Sequence, residues 1–402
     1  MTSEGRRLTG GALAAALRDS RAATLRLAFN GDDWSVPQRS GLNPIAWELG
    51  HLAWFAEFWI LRGPHALGDD GFVRAVRPAR IAGPDPIFDS ARLAHADRWS
   101  APLPGRAELA ATLEAQLDAC LAAIPRDGED DDAAHYFHRL ALFHEDMHGE
   151  AFAWSRASLA RPAPAGLEVQ PVLAGGAPLR IEGGEIVLGR ATTQPGFSFD
   201  NEMPGRALGL APFEIDAAPL TQGAFLRFVE AGGYEKSNFW PDAAGAWRRT
   251  EAIDHPQRWR RAEGGAWETR WFDRWQPLLP EAPLIHVNAW EAEAYCRWAK
   301  RRLPSAAEWE CAASDPRFVW GRSVWEWTAD AFVPYPRFAA GPYADYSRPW
   351  FGDHRELRGG AFATSRRLHH PAYRNFFTAE RTDVFAGFRT AALPPPELKS
   401  PP

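Results

Sequence analysis

Leu140-Ala-Leu-Phe-His144-Glu-Asp-Met-His148-Gly-Glu-Ala-Phe152 is the stretch that decides the amino-terminal half. At about 100° per residue, helix positions four apart differ by only about 40° in direction. The two imidazoles therefore leave one face, a turn apart. Leu140, Phe143, Met147 and Phe152 make the surroundings apolar and turn that face inward. An HxxxH pair alone reads as two surface histidines; apolar company supports a second reading, two ligands of one metal. His135 and His138 lie nine and six residues before His144, point elsewhere on the helix and read as non-ligands. Glu145 and Glu150 read first as solvated charges, and second as groups that orient an imidazole.

Around this stretch the first 160 residues read as four helices, at about 8–28, 43–62, 106–124 and 133–159. Asn43-Pro44 looks like a capping residue with proline at the first helical position. The second helix carries His51 among Trp47, Leu52, Trp54 and Phe55, with Glu48 and Glu57 nearby. A histidine buried in that company needs a polar partner. Facing helices of a bundle commonly supply ligands to one metal, and three neutral nitrogens suit iron(II), zinc or copper. Residues 127–132 form an acidic spacer.

After a linker at 161–175, residues 176–393 change character to short strand-like runs, Gly/Pro turns and two or three helices, including 289–301 and 305–313. Residues 394–402 read as a disordered tail. With 402 residues, two domains are expected. A net charge of −6 offers no basic field for nucleic acid, and no apolar run is long enough for a bilayer. The start lacks a signal-peptide core, and Cys120, Cys296 and Cys311 lack CxxC spacing, so a cytoplasmic address is expected. No oligomeric state is legible. The 19 tryptophans read either as core plates or, in part, as walls for a cationic ligand.

Five ordered segments then carry a resemblance: Pro283-Leu-Ile-His-Val-Asn-Ala-Trp-Glu-Ala-Glu-Ala-Tyr-Cys-Arg-Trp298, Arg302-Leu-Pro-Ser-Ala-Ala-Glu-Trp-Glu310, Val324-Trp-Glu-Trp-Thr328, Arg358-Gly-Gly-Ala-Phe362 and Gly387-Phe-Arg389. Together they resemble the domain of the formylglycine-generating enzymes, a variant of the C-type-lectin fold. Those oxidases use a cysteine pair late in the domain; here no cysteine follows Cys311, which argues against that chemistry. A DinB-type four-helix bundle carrying His51 and HxxxH, joined to this α+β domain, resembles the ergothioneine sulfoxide synthases over about residues 10–392.

The resemblance implies Fe(II) held by His51, His144 and His148, and O₂-driven coupling of a thiol to the imidazole of hercynine, the trimethylated betaine of histidine. It implies catalytic phenols at Tyr343 and Tyr346, with loop packing as their alternative. Substrate contacts are expected from Met147 and from Arg374-Asn375-Phe376-Phe377. In the γ-glutamylcysteine-using branch a Trp-Asp pair stands where Phe376 and Phe377 stand here, and glutamine is frequent where Met147 stands. No arginine pair for dipeptide carboxylates is found. His144-Glu-Asp-Met-His-Gly-Glu-Ala151, with Phe88-Asp-Ser-Ala-Arg-Leu-Ala-His-Ala-Asp-Arg-Trp99, is instead similar to the selenoneine synthases, which couple a selenosugar to hercynine. Cysteine or γ-glutamylcysteine remains the alternative donor. A zinc-dependent DinB-type thiol transferase and a non-enzymatic binding module are the competing classes.

Overall fold

The computed structural model describes residues 5–31, 33–125, 132–173 and 175–394. The expected acidic spacer (apart from Asp132) and all but the first residue of the expected tail lie outside the described residues. Four long helices build the amino-terminal half: α1 (Gly10–Ala28), α2 (Ile45–Ala56), α3 (Arg106–Ala122) and α4 (Asp132–Ser158). α1 packs on α4, and α2 lies against both α3 and α4. Leu13 and Leu17 of α1 meet Leu142 of α4, and Leu49 and Leu52 of α2 meet Leu109 and Leu113 of α3.

The start of α2 departs from expectation. Pro44 occupies the cap position itself, with no side-chain cap bond, and Asn43 Oδ1 instead accepts from Arg98 Nη1 at 2.7 Å. A π-helical turn, Glu57–Leu61, continues α2. Glu57 there accepts the backbone N–H groups of Arg80, Ile81 and Ala82, at 2.6, 3.2 and 2.5 Å, and so pins the long irregular connection to α3. That connection crosses α2 where the helix has no side chain. A Cβ at Gly50 would lie 2.1 Å from the Phe88 ring, so only glycine admits the crossing.

The carboxyl-terminal half is α+β. Its central sheet holds β1 (Trp325–Ala331), β2 (His354–Gly359), β3 (Asn375–Thr378) and β4 (Ala386–Gly387) in the order β3-β2-β1-β4. The first three are antiparallel neighbours, with Trp325 opposite Gly359 and Glu356 opposite Phe376, and β4 runs parallel to β1. Helices α5 (Gln222–Glu230), α6 (Asp242–Thr250), α7 (Ala289–Ala299) and α8 (Ala306–Ala312) surround smaller sheets and loops. α7 and α8 open with reciprocal caps, Asn288 with Glu291 and Ser305 with Glu308. α5 and α6 are one helix, or two, beyond expectation; α5 is capped by Thr221 Oγ1 accepting from Ala224 N.

The five segments quoted above form the buried frame of this half. Arg389 donates to both Glu326 oxygens, at 2.5 and 2.8 Å, and Trp309 Nε1 donates to the same carboxylate. Glu356 sits between Arg358 and Arg374, which donate at 2.7 and 2.6 Å. Such buried pairs favour a unique arrangement more than they add net stability.

The halves share one core. Trp47, Phe55, Phe58 and Phe143 of the bundle join Phe197, Phe199, Trp325 and Tyr373 in a continuous apolar cluster. Polar ties cross the same boundary: Arg6 with Glu202 at 2.5 Å, and Arg367 with Asp146 at 2.6 Å. Glu150 accepts from Trp325 Nε1 at 2.8 Å and from Thr364 Oγ1 at 2.6 Å. Nine tryptophans are buried, so many of the surplus indoles are core plates.

Candidate metal centre

α2 and α4 face each other, and the apolar stripes read from the sequence bring His51, His144 and His148 together. One ring nitrogen from each lies within 4.8 Å of the other two. His51 and His144 are buried; His148 is 19% exposed at the floor of a cavity. His51 Nδ1 is 2.7 Å from the Phe88 carbonyl, which only accepts, so Nδ1 carries the proton and Nε2 keeps its lone pair. His148 Nδ1 is 2.8 Å from Glu48 Oε1, which fixes the same tautomer there. His51 Nε2 lies 3.2 Å from His144 Nε2.

Ring packing fixes the planes. Trp47 stacks on His51 at 4.9 Å and 9°, and Phe55 stacks on His144 at 3.6 Å and 4°. Burial, then the neighbouring His148, pushes the pKa of His51 and of His144 well below the usual imidazole value. Both stay neutral near pH 7, the form that binds metal. Three converging imidazoles with two tautomers set by outer hydrogen bonds fit a divalent transition metal such as iron, zinc or copper. His135 and His138 lie outside the trio, as expected; His138 Nε2 is instead 3.2 Å from the Cys120 carbonyl.

The acidic residues around HxxxH are a correction. Glu145 and Glu150 are buried, not solvated. Glu145 pairs with Arg21 at 2.7 Å, and Asp146 takes Ser20 Oγ and Arg367 Nε. Burial pushes Glu150 up to about 7, against the lowering effect of its bonds to Thr364 and Trp325. None of these acids touches an imidazole of the trio. Glu48, three residues before His51 and thus on its face, is the acid that does.

A cavity of about 610 Å³ opens above His144 and His148, between the halves. Tyr343, Tyr346, Met147 and Phe376 line it, as do Arg98, Asp345, Trp154 and Trp350, which the sequence reading did not single out. Tyr343 packs edge-on to Phe55 at 5.0 Å, with its ring 6.3 Å from that of His144. Tyr346 Oη lies 3.2 Å from Tyr373 Oη, and Met147 Sδ lies 3.2 Å from that same Tyr373 oxygen. Burial raises both cavity phenols above the usual tyrosine value, so they remain protonated.

Arg374 needs correction as a substrate contact. It is 1% exposed, and its guanidinium is spent on Glu356 and the carbonyls of Asn201 and Val333. Asn375 and Phe377 do not line the cavity either. Asn375 Oδ1 accepts from Phe376 N, and Phe377 packs edge-on to Trp154 at 5.9 Å.

Family comparisons agree with this two-part build. The DinB superfamily matches residues 16–154, and the Sulfatase-modifying factor enzyme 1-like domain matches 164–324 and 321–393. A hercynine oxygenase of Mycobacterium tuberculosis is 31% identical over 433 residues, covering 94% of this chain and 98% of that one. The chain belongs to the hercynine oxygenase family. Another hercynine oxygenase, from Mycolicibacterium smegmatis, is 30% identical, with 94% and 98% covered. A formylglycine-generating enzyme of Streptomyces coelicolor is 29% identical across 59% of this chain and 94% of its own. In this chain the part that matches the DinB superfamily supplies all three imidazoles.

Proposed function

We propose that this chain is a mononuclear iron(II), O₂-dependent enzyme joining the selenium of a selenosugar to the imidazole of hercynine. One observation carries the reading: three imidazoles converge, two of them at the floor of a cavity of about 610 Å³, in a member of the hercynine oxygenase family. In balanced form, an imidazole C–H and a donor Se–H lose their hydrogens while one O₂ is reduced. One oxygen atom leaves as water and the other stays on selenium.

His51, His144 and His148 would hold the iron, which when bound supplies the one-electron chemistry that O₂ needs and side chains lack. Everything else falls to the chain's own residues. The neutral phenols of Tyr343 and Tyr346 stand ready to give a proton at their Oη atoms. Phe55, Trp47 and Met147 keep water from the imidazoles. Asp345, Trp154 and Trp350 offer a carboxylate and aromatic faces to the trimethylammonium group.

Donor choice follows from the cavity charges. Arg98 is the sole guanidinium among the described lining residues, and it already binds Asn43 and lies 3.8 Å over Trp47. A dipeptide thiol with two carboxylates finds one engaged cation. A neutral sugar finds Asn43, Ser90 and Ser155 for its hydroxyls and Phe376 or Trp350 as a platform. The test is oxygen uptake by the Fe(II)-loaded protein with hercynine and each of a selenosugar, a thiosugar, cysteine and γ-glutamylcysteine, with products read by mass spectrometry. Fastest uptake with the selenosugar is expected. Turnover that persists with zinc and without oxygen would sink the oxidative reading.

A further inference from the structure

A second cavity, of about 420 Å³, lies between the halves on the other side of the 39–43 segment. Gly41 and Asn43 of that segment line the metal-side cavity, whereas Arg39, Ser40 and Leu42 line this one. Four guanidiniums border it, from Arg39, Arg258, Arg270 and Arg381, against two carboxylates, Glu380 and Asp383. Arg381 and Asp383 neutralise each other at 2.5 and 2.8 Å.

Arg258 is the unusual member. It is 7% exposed and has no acidic hydrogen-bond partner. Nη1 donates to His286 Nε2 at 2.9 Å, and Nη2 reaches Ser158 Oγ at 3.2 Å and the Asp383 carbonyl at 3.5 Å. His286 cannot take a proton in exchange, because its Nδ1–H is directed to the Thr382 carbonyl at 3.1 Å and burial keeps the ring neutral. Burial, with Arg270 beside it, pushes Arg258 down to about 9, which still leaves it charged at neutral pH. Among the described residues no ion pair includes Arg258, Arg270 or Arg39. The one carboxylate whose charge favours the Arg258 cation, Asp383, is already paired with Arg381, so the lining keeps an excess of two positive charges, which matches one dianion.

The geometry points to a phosphate-binding site here, with Arg258 and Arg270 as the principal ligands, Arg39 closing the mouth and Ser40 or Ser158 adding hydroxyls. A phosphate monoester carries close to two negative charges at neutral pH, and guanidinium forks suit its oxygens. The volume exceeds what a bare phosphate fills and falls within the range of small-metabolite sites. The site is separate from the three imidazoles and stands whether or not they hold iron.

The experiment is thermal unfolding of the full-length, metal-loaded protein titrated with inorganic phosphate, glycerol 3-phosphate, or sodium chloride at equal ionic strength. Phosphate should raise Tm saturably beyond chloride. Arg270→Gln and Arg39→Gln alter half-buried and exposed side chains and so should fold; each should weaken the phosphate response about tenfold or more. Tighter binding of glycerol 3-phosphate would identify a phosphorylated metabolite as the occupant, and equal binding would identify free phosphate. A phosphate response no larger than that of chloride overturns the site. So does a saturable response that survives both substitutions unchanged.

Discussion

The helical wall of the metal-side cavity and the wall that faces it are built differently. On α2 and α4 each imidazole is stacked or hydrogen-bonded from behind: His51 by Trp47 and the Phe88 carbonyl, His144 by Phe55, His148 by Glu48. Opposite them, residues 344–350 form two short 3₁₀ turns, half-exposed, with Trp350 41% exposed at the rim. Rigid elements hold a ligand set more exactly than loops can, and loops tolerate change better. On the proposed reading, the helices hold the metal, and the loop supplies the proton-donating phenols and the substrate contacts.

The largest effect should come from the helical wall. His144→Ala is expected to lower iron affinity and oxygen uptake by more than about 100-fold, measured by metal analysis of the purified protein. Stoichiometric iron in that variant would break the comparison outright. Glu48→Gln keeps all three imidazoles but weakens the acceptor behind His148; iron affinity should fall roughly 10- to 100-fold, read by competition with a chelator.

On the loop side, Tyr346→Phe and Tyr343→Phe should leave iron binding intact. The proton-donating role proposed for them predicts losses in kcat of about 100-fold, with KM little changed. A fall in iron content instead would mean that the phenols support the metal, and the division would fail. Asp345→Asn should raise KM for hercynine about five- to tenfold without changing kcat, in steady-state oxygen uptake.

The smallest effect concerns the fastening of α4. The Glu150 carboxyl is raised by burial from an ordinary carboxylate value to about 7. Its folded pKa exceeds its unfolded one, so its stabilising contribution is complete below the unfolded value and is lost as pH rises through 7. Glu150→Gln should therefore unfold at a Tm that changes less between pH 4.5 and 7.5 than that of the parent. Identical slopes in thermal scans would remove Glu150 as the source.

What could be read in advance divides along the same line. Periodicity gave the four helices and the inward face of α4, because an HxxxH pair with apolar neighbours has a fixed geometry. The five carboxyl-terminal segments gave the second half's class. Arg374 lies outside those segments, and its fate was not legible: a guanidinium beside a cavity residue in sequence is turned inward by Glu356 on the neighbouring strand. Glu150 looked solvated because its partners, Trp325 and Thr364, lie 175 and 214 residues further along the chain. Arg98 and Asp345 sit in 3₁₀ turns of five and three residues, too short for a period to betray which way they point. α5 and α6 are nine residues each, near the lower limit at which a helical pattern separates from its surroundings. Thr221 before α5 was an available cap signal; Glu48, one turn from His51, was another clue at helical spacing.

Gly50 carries a consequence for anyone redesigning this scaffold. A glycine inside a helix ordinarily invites replacement by alanine, a gain of about 0.5–1 kcal/mol. Here the added methyl would strike the Phe88 ring and displace the carbonyl that orients His51. A stabilising edit chosen on helix propensity alone would trade away the alignment of the first imidazole.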